Sequence, residues 1–378
     1  MPGLCVSRIS RLVIGMVLIV LGVTQPLWVE VNAYGEGWYS GWQLRKAITI
    51  DATKVGSTGA PHTNFPVLIN LTSDSSLAAR AQADGDDILF TSSDGTTKLS
   101  HEIEKYGSST GELVAWVKVP SLSSSSNTVL YMYYGNDAAA SQQDATNVWD
   151  SNYKGVYHLK ETSGTTLNDS TSNTNIGTAT NGAALNQTGQ INVAISLDGT
   201  DDYIEALDSP SLSPTLNLTI SAWFKATSFP GGDAWIVGKY DPKAYGLWTT
   251  TDNGPRQVGV ITNADAPRRY SATTIVTGQW YYVVGVFTES TSLNLYLNDA
   301  LDNGVTAGAI TTINDTTAPL DIGRRSAVGG FWTGQIDEVR ISNSVRSAGW
   351  GLPLSTTTRA PGHAYHVLCS GSSHILTS

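Results

Sequence analysis

The fold is decided between Leu197 and Ser342, in five phrases: LDGTDDYIEA (197–206), TISAWFKA (219–226), QWYYVVGVF (279–287), LNLYLND (293–299) and GQIDEVRIS (334–342). Each is a short alternating or β-branched run bounded by Gly, Asn, Asp or Pro, which is the signature of an antiparallel strand with one face buried. Many such strands at close spacing stack as two sheets, so the expected class is all-β with a sandwich architecture.

Working outward, the composition agrees. Only 14% of the 378 residues are charged, while the chain holds 37 glycines. That suits short strands joined by turns rather than long ion-paired helices. The length allows two domains with separate cores. The formal net charge of −10 comes with no Lys/Arg cluster beyond the first residues, which excludes a nucleic-acid partner because phosphate binding needs a basic footprint.

At the N-terminus, Arg8 and Arg11 precede the apolar run Leu12 to Val23, and Val31-Asn32-Ala33 offers small residues to a signal peptidase. Residues 1–33 are therefore expected to be a signal peptide, giving a secreted or cell-surface chain with no membrane span after cleavage. An N-terminal anchor is the alternative, but the uninterrupted run falls short of the roughly 20 residues a spanning helix needs. The two cysteines, Cys5 and Cys369, allow the mature chain no internal disulfide.

The order and wording of the phrases between Leu197 and Arg340 resemble the laminin-G-like, concanavalin A-like jelly roll, which implies a displayed surface more often than a reaction centre. Upstream, WQLRKAITI (42–50), FPVLINLT (65–72), DGDDILFTSSDGTTKLSHEIEKY (84–106), GELVAWVKVP (111–120) and NTVLYMYYGN (127–136) read as a second β-rich unit. These words resemble, in family order, the domain of unknown function numbered 2341. The resulting division is a signal peptide (1–33), a first β domain (42–136) expected to fold independently, a linker (137–152), a jelly roll (153–345) and a tail (351–378).

For catalysis, sandwich glycosidases place two acids on one strand face by period-two spacing, about 5 Å apart for a retaining mechanism. The jelly roll has no such run, and its only adjacent acids late in the domain are Asp337 and Glu338, expected on opposite faces. In the first unit Glu102 and Glu104 share a face beside His101. A glycosidase or lyase reading would use that pair, against the plainer reading of a solvated face or a turn network. No triad, zinc-spaced His/Cys or phosphate loop appears.

Calcium needs several hard oxygens, and NDSTSNTNIG (168–177) and DGTDDY (198–203) supply them, although such clusters are also ordinary turn formers. Related laminin-G-like domains often bind one structural calcium near the junction of first and last strands; by position this resemblance implies Asp169 and Asp337 as ligands of one structural Ca2+. For a glycan, Trp235, Tyr240, Tyr245, Trp248, Tyr270 and Trp332 lie near expected loops or strand ends, with inter-sheet packing as their alternative role. The reading that follows is an exported, noncatalytic recognition or adhesion protein binding a polysaccharide or cell-surface component. A purely structural surface-protein fragment is the third reading.

After RSAGW (346–350) the resemblance stops. Family members often continue I-A-A-E-Y-N-N-Q-S-S, and one permitted codon choice for Trp350 to Ala360 gives that phrase when two G's after TGG are deleted. Residues 351–378 are thus expected to be an out-of-frame, disordered tail.

Overall fold

The run QWYYVVGVF is apolar at every second position twice over, and a strand covered on both faces reads this way. The computed structural model describes residues 37–56, 61–240, 242–252, 254–263, 267–309, 311–326 and 329–346, with the backbone of Val367–Leu368 and His374–Ile375. In it Tyr281, Val283 and Phe287 of the strand Tyr281–Thr288 enter the inter-sheet core, while Tyr282, Val284 and Val286 face the other way. The chain is all-β, as its patterning requires.

The jelly roll is two antiparallel sheets. One has nine strands, in the order Asn303–Ala307, Arg268–Ser271, Gln257–Thr262, Tyr245–Thr250, Ala234–Lys239, Leu320–Ile322, Tyr203–Ala206, Gly177–Thr180, Thr166–Leu167. The other has eight, running Ala184–Thr188, Val193–Asp198, Thr333–Ser342, Asn217–Ala226, Tyr281–Thr288, Ser292–Leu297, Ala300–Leu301, with Tyr153–Tyr157 also paired to Thr333–Ser342. Alternation fills the space between them. Leu218, Ile220, Ala222, Phe224 and Ala226 of one strand point inward, against Val237, Leu247, Val258 and Val260 of the facing sheet. Fully burying side chains of this size stabilises by about 1.5–3 kcal/mol each, before chain entropy is set against it.

The first unit is a smaller sandwich. The strand Leu44–Ile50 pairs with Thr128–Tyr134, and the latter with Leu89–Thr91. Facing these is a three-stranded sheet of His62–Leu71, Glu112–Leu122 and His101–Gly107. Its core contains Ile48, Phe65, Val67, Ile69, Phe90, Ala115, Val117 and Leu130, but also Tyr282, Val284 and Val286 of the jelly roll. The opposite face of the three-stranded sheet, with Leu68, Val114 and Trp116, packs on Val148, Trp149, Tyr153 and Val156. Two corrections follow. The unit 42–136 does not own a closed core, which runs against independent folding. Residues 137–152 are not wholly a linker, since Val148 and Trp149 are buried at the seam.

The signal segment 1–33 lies outside the described residues, and among those that are described no helix is long and apolar enough to cross a membrane. Of the tail, Val367–Leu368 and His374–Ile375 pair with the edge of Leu44–Ile50. The rest of 351–378, Cys369 included, is outside the described residues.

Candidate functional site

Ile336, Val339 and Ile341 all face the inter-sheet core. Strict alternation allows one residue between successive inward positions, yet two, Asp337 and Glu338, stand between Ile336 and Val339. The register with Asn217–Ala226 shifts there, and Glu338 takes a left-handed backbone with φ +52. This is a β-bulge, and holding a bulky residue so costs about 1–3 kcal/mol that surrounding contacts must offset. It corrects the expectation that Asp337 and Glu338 point to opposite faces. Both leave the core on the side covered by the first unit.

There Glu338 meets His158, whose Nδ1 lies 2.7 Å from Glu338 Oε1 and 3.7 Å from Glu104 Oε2. His158 Nε2 is 3.3 Å from Glu102 Oε2. Each carboxylate has its own donor. Trp116 Nε1 donates to Glu104 Oε2 at 3.0 Å, and Arg340 to Glu338 Oε2 at 2.7 Å. Glu102 accepts from Lys160 at 2.7 Å, Ser170 at 2.8 Å and Trp149 Nε1 at 3.2 Å. Arg340 lies over the Trp116 and Trp149 rings, 4.4 and 5.1 Å from their centres.

The cluster is sealed, and the side chains of His158, Glu104 and Glu338 are no more than 1% exposed. Burial alone would lower the His158 pKa, but the Glu338 and Glu102 carboxylates outweigh it and hold it up at about 10. Burial and repulsion from Glu338 push Glu104 up to about 7. Burial and the same Glu338 charge push Asp337 well above the usual carboxylate range. In Glu102 and Glu338 the cations win over burial and the carboxyls are lowered.

Glu102 and Glu104 thus do share a side, but it faces the seam rather than a substrate. His101 points the other way, against Phe90 at 5.2 Å between ring centres. Asp169 is a loop staple. Its oxygens accept from the backbone N–H of Val156, Thr171 and Asn175 and from the Thr171 hydroxyl, at 2.9–3.0 Å. Lone pairs so engaged are not offered to calcium. Asp337 Oδ2 accepts from the N–H of Gln190 and Ile191, while its Oδ1 has no hydrogen-bond partner. Neither aspartate belongs to a group of three potential ligands among the described residues; Glu104, His158 and Glu338 form one such group and Asp198, Asp201 and Asp202 the other. The geometry does not support Asp169 and Asp337 as a calcium pair.

The six aromatics proposed for glycan contact are all buried, at most 3% exposed. Tyr245 and Trp332 belong to the inter-sheet core. Trp235, Tyr240, Trp248 and Tyr270 form a separate cluster on the outer face of the nine-stranded sheet. Trp235 and Trp248 lie stacked, 5.8 Å between centres and 20° apart. They lie flat because glycines leave room beneath them: a Cβ on Gly259 would sit 2.7 Å from Trp248, and one on Gly246 would run into the Trp235 ring. Gly246→Ala should therefore cost about 1–3 kcal/mol by overpacking and shift tryptophan emission to the red; an unchanged urea midpoint and spectrum would contradict the packing.

Over this floor Arg325 sits 4.9 Å from the Tyr240 ring centre and 6.0 Å from that of Trp235. Arg324 stacks on Tyr203 at 3.3 Å and bonds Glu205 at 2.8 Å and Asp321 at 3.1 Å. Burial raises Asp321 to about 6, against the lowering by Ser326 and Arg324. Tyr270 donates to Asp252 at 3.2 Å. Sequence reasoning missed this charged layer, as it missed His158, Trp116, Trp149 and Arg340. A usable signal existed in VYHLK, where a histidine stands in an apolar run at the end of the strand Tyr153–Tyr157.

The structure defines a two-layer all-β sandwich with one outer face covered by the first unit. Two family models match parts of the chain. Residues 198–350 match the concanavalin A-like lectin/glucanases superfamily, and residues 84–175 match the domain of unknown function DUF2341. The DUF2341 match lies N-terminal to the other and runs on through the first jelly-roll strand, past His158 and Asp169.

Solved structures are similar at low identity. Domain 4 of an extracellular arabinanase from Geobacillus stearothermophilus, in complex with arabinotriose, is 19% identical with a TM-score of 0.40, covering 52% of this chain and 95% of its own. Trypanosoma rangeli sialidase in complex with sialic acid is 11% identical with a TM-score of 0.42, covering 69% and 45%, so the chain spans less than half of that enzyme. A heptameric pentraxin from Limulus polyphemus is 17% identical with a TM-score of 0.33, covering 48% and 90%. No curated protein matches the chain.

Proposed function

We propose that the protein is an exported, noncatalytic carbohydrate-recognition module that binds a polysaccharide or a cell-surface component through the outer face of its nine-stranded sheet. The observation that carries this reading is the allocation of faces. The eight-stranded sheet spends its outer face, through Tyr282, Val284 and Val286, on the first unit. The nine-stranded sheet keeps Tyr203, Glu205, Arg324 and Arg325 partly exposed above an aromatic floor. Fixed polar groups beside the partly exposed Tyr203 ring suit sugar hydroxyls and C–H faces, with the buried aromatic cluster supporting Arg325 from below. The superfamily match, which includes lectins, agrees. Support for a noncatalytic role is the sealing of Glu102, Glu104 and Glu338, since a glycosidase needs its acids open to the scissile bond.

The test is a glycan array with the purified chain, run beside a reducing-sugar release assay on each polysaccharide bound. Binding without release is expected, with Arg324→Ala and Arg325→Ala each weakening it at least tenfold (~1.4 kcal/mol). Release of reducing ends would refute the noncatalytic reading, and binding indifferent to both variants would remove the proposed face.

A further inference from the structure

The seam holds four carboxyl groups, Glu102, Glu104, Asp337 and Glu338, against two permanent cations, Lys160 and Arg340. With His158 counted as neutral, four less two leaves two negative charges around side chains no more than 1% exposed, and a buried charge is tolerated only when balanced. Two added protons would balance it, and so would one divalent cation.

Geometry distinguishes the cation. Glu104, His158 and Glu338 each bring a ligand atom within 4.8 Å of the others. The separations of 2.7 Å and 3.7 Å about His158 Nδ1 bracket the roughly 3.3 to 3.6 Å between neighbouring ligands that bond a tetrahedral metal at about 2.0–2.2 Å. Each ligand is already oriented from behind. Glu102 receives the far ring nitrogen of His158, which leaves Nδ1 to face the site; Arg340 holds the outer oxygen of Glu338, and Trp116 donates to Glu104 Oε2, the oxygen that faces His158. Such outer-shell carboxylates and donors are what fixes ligand orientation at metal sites. Independently, Glu104 Oε1 and Asp337 Oδ1 are buried without any hydrogen-bond partner, and buried acceptors are ordinarily satisfied.

We propose that Glu104, His158 and Glu338 form a divalent transition-metal site that clasps the DUF2341 segment to the jelly roll, with zinc as the ion its one imidazole and two carboxylates suit best. The site is distinct from the sheet face proposed for glycans, and does not depend on that reading. Glu104 comes from a strand of the first unit, Glu338 from the strand Thr333–Ser342 of the jelly roll and His158 from just beyond the strand Tyr153–Tyr157, so binding is coupled to closure of the seam.

The experiment strips the full chain with chelator and returns zinc chloride alone, following the melting midpoint, stoichiometry by titration, and X-ray absorption at the zinc edge. Expected are one zinc per chain, a raised midpoint that saturates, and an edge spectrum of nitrogen and oxygen ligands including one imidazole. Glu104→Gln keeps the shape of the side chain and should weaken zinc at least tenfold, and Glu338→Gln should do the same. A stripped chain whose midpoint ignores zinc overturns the proposal. So does zinc bound with undiminished affinity in both variants, which would place it at another site. If a variant fails to fold, the wild-type edge spectrum decides: absence of an imidazole ligand overturns the site.

Discussion

Replacing His158 with alanine is expected to destabilise the chain by about 3 to 5 kcal/mol, the range for removing one partner of a buried ion cluster. Glu102, Glu104 and Glu338 would remain buried with only Lys160 and Arg340 to balance them. The loss belongs to the stranded carboxylates more than to any bond the imidazole makes. Changing His158 to Leu together with Glu104→Gln and Glu338→Gln should therefore recover part of it, although more groups are altered. Urea midpoints of the two proteins check this. A loss below about 1 kcal/mol in His158→Ala would mean the seam admits water.

Acid should destabilise the protein through a different histidine. Burial lowers His101 to about 4 from the ordinary 6.5, helped by repulsion from Lys98 and opposed by Asp144. A histidine kept neutral in the fold but free to protonate when unfolded lowers stability as pH falls below 6.5. The loss is complete below about 4, and a shift of that size corresponds to about 3 kcal/mol. Urea unfolding at pH 7, 6, 5 and 4 should show wild type losing that much more than His101→Leu. Parallel pH curves for the two proteins would contradict a neutral, buried His101.

The strands of the jelly roll were legible because their alternation is fixed by two sheet faces, and Leu218, Ile220 and Phe224 fall where period two puts them. The double burial of Tyr281–Thr288 was written in QWYYVVGVF, but not which surface covered its second face. The bulge at Glu338 was illegible, because it depends on register with a strand over a hundred residues earlier. That one slip decided the candidate site, bringing Glu338 to His158 across 180 positions. Tyrosines and tryptophans were correctly placed near strand ends, yet their exposure was not readable, since it turns on glycines of neighbouring strands. Asp169 shows the same limit: an acidic turn sequence looks alike whether its oxygens face a cation or backbone N–H groups.

The shared core has a consequence for the order of events at the ribosome. The first unit ends near Asn136, but it closes only against Tyr282, Val284 and Val286, and the seam only with Thr333–Ser342. At about 5–20 residues per second, roughly 200 further residues take about 10 to 40 s to synthesise. For that interval the early strands carry an apolar surface with nothing to cover it. A chain built this way favours delayed folding, and holdase chaperones that bind the nascent segment would raise its yield more than any change that speeds pairing of the early strands.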